Sequence, residues 1–431
     1  MKREVFLIDG CRTPFLKAGA KPNPLAAADL AVAAAKPLLA RQPFLATDIG
    51  EVIVGCVGPN AAEANIARII ALRVGCGDNV CGWTVQRNCA SGLQAIDNAT
   101  QDIADGRHDL VLAGGTEAMS RAGMFFSEEF CTWLADFSGA KNIQQKLAAL
   151  LQFRPKFLVP VVTLLRALND PVVNLSMGQT AEKLAYLYNI TRREMDEFSV
   201  RSHQRAMNAI QSKYFANEII PLFDWAGKFV EYDNGVRADS NIEKLATLKP
   251  VFDKPFGIVT AGNSSQISDG AAMAILASQD AIVKHDLQPL ARIVDFAWAA
   301  LDPSVMGLGP AHAIAKLLHK NEMTLDQIDY VEINEAFAGQ VLACLKVMAD
   351  ANYCRQVLGL PQAVGNLDQD KLNIDGGAVA IGHPVGASGA RLTIHAANVL
   401  KRKNVKYGIA SLCIGGGQGG AVLIENLMGT K

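Results

Sequence analysis

The chain has 431 residues, of which 50% are hydrophobic and 19% charged, and its formal net charge is −1. This balance excludes a disordered chain and a surface that attracts nucleic acid as a whole. At this length we expect two or three domains or subdomains. The nine cysteines contain no CxxC pair, which argues against a zinc site and favours reduced thiols. We therefore expect a cytoplasmic protein without a bound metal.

Strands alternate with helices through the first part of the chain. Hydrophobic patterns predict strands at 5–9, 49–54 and 110–115, a short strand at Val85, and helices at 25–39, 65–74 and 91–105. The paired glycines Gly114 and Gly115 are predicted to end the third of these strands. Alternation of this kind is typical of an α/β layer around a largely buried sheet.

The last part of the chain repeats this order. Patterns predict strands at 291–296, 328–333 and 408–413, and helices at 310–319 and 390–400. The small residues 386–389 are predicted to form a turn before the last helix. The two halves therefore read as one βα unit used twice, whose turns meet at a single crevice.

A different segment, about 120–250, separates the halves. It contains charged helices near 191–214 and an apolar stretch at 146–168 with interleaved Arg154, Lys156 and Arg166. Such a stretch could lie on a membrane surface or cover a partner. The alternative is an insertion helix that packs on its own domain.

Cys89 lies among small residues, directly before a stretch with helical periodicity. Free N–H groups and the positive end of the helix dipole are expected to favour its thiolate. Residues 90–92 leave the backbone open to a substrate. A buried structural thiol is the alternative explanation for this cysteine.

Three further residues lie at predicted strand ends. Asn334 closes a strand, His383 lies in a turn bounded by glycine and proline, and Cys413 precedes the glycines 415–417. Each has an ordinary explanation, since Asn caps helices, a turn histidine can be solvated, and glycine turns are common. The glycine run also lacks the Lys-Ser/Thr of a phosphate loop. Together with Cys89, however, they indicate one nucleophilic site at the turns of a duplicated fold.

Four blocks of the sequence resemble the signature blocks of the thiolases, and the resemblance extends over residues 5–425. They are Asn88-Cys89-Ala90-Ser91-Gly92, Asn334-Glu335-Ala336-Phe337, Gly382-His383-Pro384 and Cys413-Ile414-Gly415-Gly416-Gly417. The resemblance implies an α/β thiolase fold, in which two similar halves form a five-layered αβαβα arrangement. It also implies these domains: an N-terminal half (1–121 with 251–280), a loop domain that covers the coenzyme A site (122–250) and a C-terminal half (281–431).

The resemblance implies thiolytic cleavage of a 3-ketoacyl thioester by coenzyme A, or the reverse condensation. Cys89 would be the nucleophile that carries the acyl group, His383 would activate it, and Cys413 would be the general acid/base. One oxyanion hole would consist of His383 with a water held by Asn334, and the other of the backbone N–H groups of Cys89 and Gly415.

Coenzyme A enters as a substrate, and no permanent cofactor is implied. The same pattern assigns Arg237 to the adenine end of coenzyme A and Ser265 to the pantetheine. It assigns apolar walls to Met177, Phe252 and Phe337.

The features that separate thiolase subgroups are mixed. Residues 122–175 and 352–370 resemble β-subunits of fatty-acid-oxidation complexes, which pair with a hydratase/dehydrogenase α-subunit. Ser176 replaces the histidine usual in short-chain biosynthetic thiolases. However, those β-subunits carry histidine where this chain has Asn334, and residues 386–389 follow the more general thiolase pattern.

The first hypothesis is a degradative 3-ketoacyl-CoA thiolase of fatty acid β-oxidation with broad or long chain preference. The alternatives are an acetyl-CoA C-acetyltransferase working on acetoacetyl-CoA and an inactive scaffold that binds acyl-CoA. Decarboxylating ketoacyl synthases share the duplicated fold, but they lack a second catalytic cysteine, so Cys413 argues against them. We expect a homodimer or homotetramer and no nucleic-acid partner. Two further partners are considered: a hydratase/dehydrogenase α-subunit, and a membrane surface that residues 146–168 would contact.

Overall fold

The computed structural model describes residues 3–19, 21–223, 227 and 229–429. The ends of the predicted domains at residues 1 and 431 lie outside this part of the chain. Its strands are β1 (Val5–Arg12), β2 (Leu16–Lys17), β3 (Glu51–Gly55), β4 (Cys81–Val85), β5 (Leu110–Ala118), β6 (Met124–Phe125), β7 (Val161–Val162), β8 (Leu222–Phe223), β9 (Phe229–Val230), β10 (Ser268–Ser278), β11 (Ala291–Ala300), β12 (Tyr330–Ile333), β13 (Tyr407–Ile414) and β14 (Gln418–Glu425).

Seven of the fifteen helices described below begin at a residue whose side chain caps the helix. Ser176 and Thr191, for example, each form a capping box with the residue three positions later. The helices are α1 (Ala27–Ala40), α2 (Ile66–Arg73), α3 (Ser91–Ala104), α4 (Glu128–Gly139), α5 (Ile143–Leu151), α6 (Thr163–Ala167), α7 (Met177–Leu187), α8 (Arg192–Gln211), α9 (Ile242–Ala246), α10 (Gln279–His285), α11 (Gly309–Lys320), α12 (Ala338–Ala349), α13 (Ala351–Gln356), α14 (Ala378–Ile381) and α15 (Val385–Lys403).

The sheet shows the duplication directly. Its strand order is β12-β13-β14-β11-β1-β10-β5-β3-β4. In the first half β10 is antiparallel to both β1 and β5, and β3 is parallel to β5. In the second half β14 is antiparallel to both β11 and β13, and β12 is parallel to β13. The antiparallel pair β1–β11 joins the halves. The predicted repeat is therefore present, although the sequence patterns did not predict β10 and β14.

Alternating side chains of the strands divide the interior into separate cores. In β5, Leu110 and Leu112 pack in the core that contains α1 and α2, whereas Val111 and Ala113 pack in the core that contains α3 and α15. A third core lies between β11–β14 and the helices α11 and α12. The five layers are thus, in order, α1 with α2, the strands of the first half, α3 with α15, the strands of the second half, and α11 with α12. This confirms the predicted α/β class and αβαβα arrangement.

The paired glycines do not end a strand, and that prediction was wrong. β5 continues through both of them to Ala118. A Cβ on Gly114 would lie 2.2 Å from the Ala272 carbonyl oxygen, and one on Gly115 would lie 1.9 Å from the Gly386 carbonyl oxygen. Glycine is therefore required here for close packing against β10 and α15, not for a turn.

The predicted turn at residues 386–389 is also wrong. These residues form the first turns of α15, which begins at Val385. Two glycines and two small residues weaken a helix on propensity alone, so the sequence pattern favoured a turn. Packing against α3 stabilises the helix instead.

The stretch 146–168 is not one insertion helix. α5 ends at Leu151, a short 3-10 turn follows at Pro155–Leu158, and β7 and α6 complete the segment. Pro155 and Pro160 cannot continue a helix, which accounts for the break. Among the described residues, no helix is long and apolar enough to cross a membrane. The boundaries of the loop domain stay a prediction.

Candidate active site

Cys89 lies in a tight turn between β4 and α3. Asn88 has a left-handed backbone with φ of 45°, a conformation that asparagine tolerates. The Ser91 hydroxyl donates to the Asn88 carbonyl oxygen at 2.7 Å and accepts from the Arg87 N–H at 2.9 Å. These bonds fix the turn, and they leave Cys89 half-buried two residues before the helix.

His383 lies in the equivalent position before α15 and is buried. Its Nδ1 is 2.6 Å from the Ser388 Oγ, and the Ser388 hydroxyl donates to the Pro384 carbonyl oxygen at 3.0 Å. Since that hydroxyl proton is already used, we assign the ring proton to Nδ1, which donates to Ser388. Nε2 is then an acceptor, and the Asn334 amide donates to it at 3.3 Å.

The two turns meet because α3 and α15 approach each other at their first residues. A Cβ on Gly92 would lie 2.7 Å from the Gly386 carbonyl oxygen, and one on Gly389 would lie 2.5 Å from the Leu93 nitrogen. Only glycine permits this backbone contact. Cys89 and His383 each precede one of these helices by two residues, so the contact places them on neighbouring turns.

The end of β13 adds Cys413 and Gly415 to the same place. The Asn88 amide donates to the Gly415 carbonyl oxygen at 2.8 Å, which joins the two halves of the chain. The backbone N–H groups of Gly415 and Cys89 lie close enough to the Cys89 sulfur to lower the pKa of its thiol. Burial raises the pKa of Cys413 well above its usual value, and a charge on nearby Cys89 raises it further.

The resting protonation of Cys89 is opposite to the prediction from its place at a helix end. Burial raises the pKa of its thiol to about 11. The two backbone N–H groups lower the pKa, but by less than desolvation raises it, and the carboxylate of Glu117 raises it too. Burial, assisted by Arg391, lowers the pKa of His383 to about 3. The pair is therefore a neutral thiol beside a neutral imidazole.

Asn334 lies where β12 ends. Its backbone N–H donates to the Ser411 carbonyl oxygen at 2.9 Å, which holds it beside β13. Its Oδ1 atom is buried and accepts no hydrogen bond from the residues that the structure describes. An orphaned acceptor beside the His383 ring has room for a donor from substrate or solvent.

The predicted apolar walls form one cluster with Cys413. Met177, Phe252 and Phe337 pack in this cluster. The two phenylalanine rings meet edge to face with centroids 5.9 Å apart. A Cβ on Gly415 would lie 3.3 Å from the Met177 sulfur, so this cluster borders the glycine turn. The structure thus brings these three residues to the site.

Ser265 lies beside the same turn. Its backbone N–H donates to the Ala336 carbonyl oxygen at 2.9 Å, next to the Asn334 block. The following residue, Gln266, accepts from the His383 N–H at 3.3 Å. Ser265 is therefore one residue from a direct backbone contact with the histidine turn.

Arg237 lies farther out. Its backbone N–H donates to Nδ1 of His203 on α8 at 3.2 Å. Two residues earlier, the Gly235 carbonyl oxygen accepts from the Gln266 side chain at 3.0 Å, which links this segment to the site. Of the predicted residues, Arg237 is the one that the structure does not bring to the cysteines.

Comparison with known proteins agrees with this geometry. The family profile "Thiolase, N-terminal domain" matches residues 5–280, and "Thiolase, C-terminal domain" matches residues 287–426. The chain belongs to the thiolase family. Among similar proteins, the beta-ketoadipyl-CoA thiolase of Pseudomonas aeruginosa is 38% identical over 99% of this chain and 100% of its own length.

Two further relatives bear on the kind of thiolase. The mitochondrial trifunctional enzyme subunit beta of Bos taurus is 36% identical over 98% of this thiolase and 88% of its own length. The crystal structure of human mitochondrial 3-ketoacyl-CoA thiolase in complex with CoA has a TM-score of 0.83 and 37% identity, and it covers 98% of each chain.

Sequence reasoning missed two buried glutamates in this thiolase. Glu335 accepts from the Ser202 hydroxyl at 2.6 Å, the Asn373 amide at 2.9 Å and the Val379 N–H at 3.2 Å. It thereby fixes the segment that leads to His383. Burial raises its pKa. The sequence feature that could have identified Glu335 is an acidic residue directly beside Asn334 at a strand end.

The second is Glu117, the only charged residue in the otherwise small and apolar strand β5. An acid in a fully buried strand is costly unless it is hydrogen-bonded, and that was the available signal. No group of three or more His, Cys, Asp or Glu residues within the described chain could hold a metal ion. Within the described residues, the chemistry that this site offers is that of its thiols, imidazole and amides.

Proposed function

We propose that this thiolase is a degradative 3-ketoacyl-CoA thiolase of fatty acid β-oxidation. It would cleave a 3-ketoacyl-CoA with coenzyme A to acetyl-CoA and an acyl-CoA shortened by two carbons. The observation that carries the proposal is that the backbone N–H groups of Cys89 and Gly415 lie close to the Cys89 sulfur, while the neighbouring turn holds a buried imidazole whose Nε2 is unprotonated.

The first half-reaction acylates Cys89. The thiol passes its proton to Nε2 of His383 as the sulfur attacks the 3-keto carbon. The bond between C2 and C3 then breaks, the acyl group stays on sulfur, and the acetyl-CoA enolate leaves. Cys413 protonates the enolate carbon, which completes acetyl-CoA. His383 with a water held by Asn334 stabilises the enolate oxygen.

The second half-reaction transfers the acyl group to coenzyme A. Cys413, now a thiolate, takes the proton of the incoming thiol, whose sulfur attacks the thioester on Cys89. The bond between the acyl carbon and the Cys89 sulfur then breaks, and His383 returns its proton to Cys89. The N–H groups of Cys89 and Gly415 stabilise the oxyanion of that step, since they already lie close to the sulfur that bears the acyl group. No proton is gained or lost overall.

Coenzyme A would lie under the loop domain, 122–250. Met177, Phe252 and Phe337 would contact its apolar part near Cys413, because they form one cluster with it. Ser265 would contact the pantetheine, and Arg237 would meet the adenine end farther out. The CoA complex of the human relative supports this class of substrate.

Chain length is tested by thiolysis rates on a series of 3-ketoacyl-CoA substrates from four to sixteen carbons. We expect kcat/KM to rise with chain length up to the medium or long substrates, since each methylene buried adds about 0.8 kcal/mol. A marked preference for acetoacetyl-CoA would identify an acetyl-CoA C-acetyltransferase instead. Binding of every substrate without turnover would identify an acyl-CoA-binding scaffold. 3-Ketoadipyl-CoA is the necessary additional substrate, given the Pseudomonas relative.

The surface of the loop domain supports a peripheral membrane contact. α4 and α5 form a hairpin in which the Trp133 indole donates to the Ala149 carbonyl oxygen at 2.8 Å. Leucines near it are exposed, Leu151 at 88%. Arg154 and Lys156 follow directly, so an anionic lipid surface would meet both apolar and basic groups.

We expect the protein to sediment with vesicles of phosphatidylcholine and phosphatidylglycerol. Leu151→Glu should lower the bound fraction about tenfold, because burying a leucine is worth about 2 kcal/mol. Val283→Glu, at an apolar residue of α10 that is also strongly exposed (74%), is the matched control. If sedimentation is absent and a hydratase/dehydrogenase α-subunit protects the hairpin from proteolysis, the surface belongs to that partner. We also propose a cytoplasmic homodimer or homotetramer, which light scattering and cell fractionation would test.

A further inference from the structure

Glu117 is buried near the end of β5, against the loop at 56–58 and the first turn of the helix that follows His383. Its carboxylate accepts from three backbone N–H groups: Val57 at 2.9 Å, Gly58 at 2.9 Å and Gly386 at 3.1 Å. Within the described residues, no lysine, arginine or histidine forms an ion pair with it. Three amides and the Cys56 thiol, which donates to Oε1 at 3.8 Å, therefore hold this buried carboxylate.

One of those amides belongs to the helix that follows His383. α15 has Pro384 as its N-cap, and proline supplies no side-chain cap. Glu117, 269 positions earlier in the chain, accepts the Gly386 N–H in its place. A Cβ on Gly386 would lie 2.4 Å from the Thr116 carbonyl oxygen and 2.7 Å from the Glu117 Oε2. The glycine thus permits the close approach of carboxylate and helix end.

The same carboxylate acts on the nucleophile through its charge. Burial is the largest cause of the raised pKa of Cys89, and the negative charge of Glu117 is the side-chain contribution that raises it further. Burial raises the pKa of Glu117 itself to about 7, although its three amides favour the charged form. The other titratable groups here are Cys56, whose thiol lies 3.8 Å from Glu117, together with Cys413, His383 and Arg391.

We propose that Glu117 is a positioning residue for acyl transfer. It fixes the helix end behind His383 against β5 and the loop at 56–58, and its charge adds to the burial that keeps Cys89 a thiol between turnovers. The proton then leaves Cys89 only when His383 and a bound substrate are in place. This inference rests on the proposed acyl transfer, whereas its effect on the thiol can be measured without any substrate.

The test is Glu117→Gln with two readouts. The first is the rate at which iodoacetamide alkylates Cys89, measured by mass spectrometry of the Cys89 peptide at a slightly alkaline pH. We expect it to rise about threefold to tenfold, because a fall of one unit in thiol pKa raises the thiolate fraction about tenfold. The second is thiolysis, in which we expect kcat to fall about 10- to 100-fold with KM nearly unchanged, since small misplacements of catalytic groups cost this much.

Two further variants separate charge from geometry. Glu117→Asp keeps the charge and shortens the side chain, so it should alkylate at the wild-type rate and still lose kcat. Glu63→Gln is the matched control, because Glu63 is also buried and accepts the Ala28 N–H at the start of α1 at 2.9 Å. It should leave both readouts at the wild-type level.

Wild-type alkylation and wild-type kcat in folded Glu117→Gln would overturn the proposal. So would equal losses in Glu117→Gln and Glu63→Gln, which would show a general effect of buried carboxylates. If Glu117→Gln does not fold, Glu117→Asp decides, and a wild-type kcat in that variant overturns the positioning role. Should the wild type lack acyl transfer, the proposed function fails, and the alkylation rates still decide the effect on Cys89.

Discussion

Replacing Cys89 with alanine abolishes thiolysis, with an expected loss in kcat of at least about 10⁴-fold, as for other enzymes that lose their nucleophile. No other thiol can take its place. The thiol of Cys413 is fully buried, and this burial raises its pKa well above the usual value. The two backbone N–H groups would also lose the sulfur to which they lie close.

Intact mass after a brief exposure to a 3-ketoacyl-CoA, with coenzyme A left out, checks this result. The wild type should gain the mass of one acyl group, located on the Cys89 peptide, and Cys89→Ala should gain none. Cys76→Ala, at another buried cysteine of the first half, should behave as the wild type. Turnover by Cys89→Ala at an undiminished rate would remove Cys89 from the mechanism.

The second large effect is on stability, at His395 in the middle of α15. The ring is buried, with Nδ1 2.9 Å from Glu218 and Nε2 3.3 Å from Asp375. With His395 protonated, the cations of this buried network equal its anions. The network contains Arg12, Arg391, Arg402 and His395 against Glu218, Asp233, Glu332 and Asp375.

His395→Gln should therefore destabilise the protein by about 3 to 5 kcal/mol, the cost of removing one partner from a buried ion pair. The effect should depend on pH. Although burial opposes the charge, Glu218 and Glu332 raise the pKa of His395 from 6.5 to about 10. A raised pKa contributes stability that is complete below 6.5 and is lost as the pH rises towards 10.

Melting temperatures of the wild type and of His395→Gln, measured between pH 6 and 10, test this pH dependence of stability. The difference between wild type and His395→Gln should be largest at pH 6 and should narrow steadily towards pH 10. His319→Gln, at an exposed histidine of α11, should follow the wild type throughout. Parallel curves for wild type and His395→Gln would show that His395 is neutral in the folded protein.

The sequence predicted the positions of the candidate site residues well, because these residues lie at the ends of strands or just before helices. Cys89, Asn334, His383 and Cys413 all lie at the ends of strands or just before helices, as predicted, because turns there expose reactive groups. The duplicated halves were also predicted, since β3 and β12 carry similar patterns. β10 and β14 were missed because buried strands rich in alanine and glycine show little hydrophobic alternation.

The predictions that were wrong depend on contacts between residues far apart in the chain. Gly115 and Gly386 meet across 271 positions, so neither neighbourhood alone shows that one continues a strand and the other begins a helix. The resting state of Cys89 was misjudged for a related reason. A helix end is visible in sequence, whereas the desolvation that outweighs it comes from the whole assembled site.

The hydrogen bond from Asn88 to the Gly415 carbonyl oxygen has a consequence for synthesis of the chain. Cys89 emerges from the ribosome nearly 300 residues before His383, and β5 receives its neighbour β10 only when residue 278 has been made. Until both halves have closed on each other, Cys89 lacks the base and the Gly415 N–H that the proposed mechanism requires. Under that mechanism, a nascent or half-folded chain cannot consume thioesters, and catalytic competence itself reports that folding is complete.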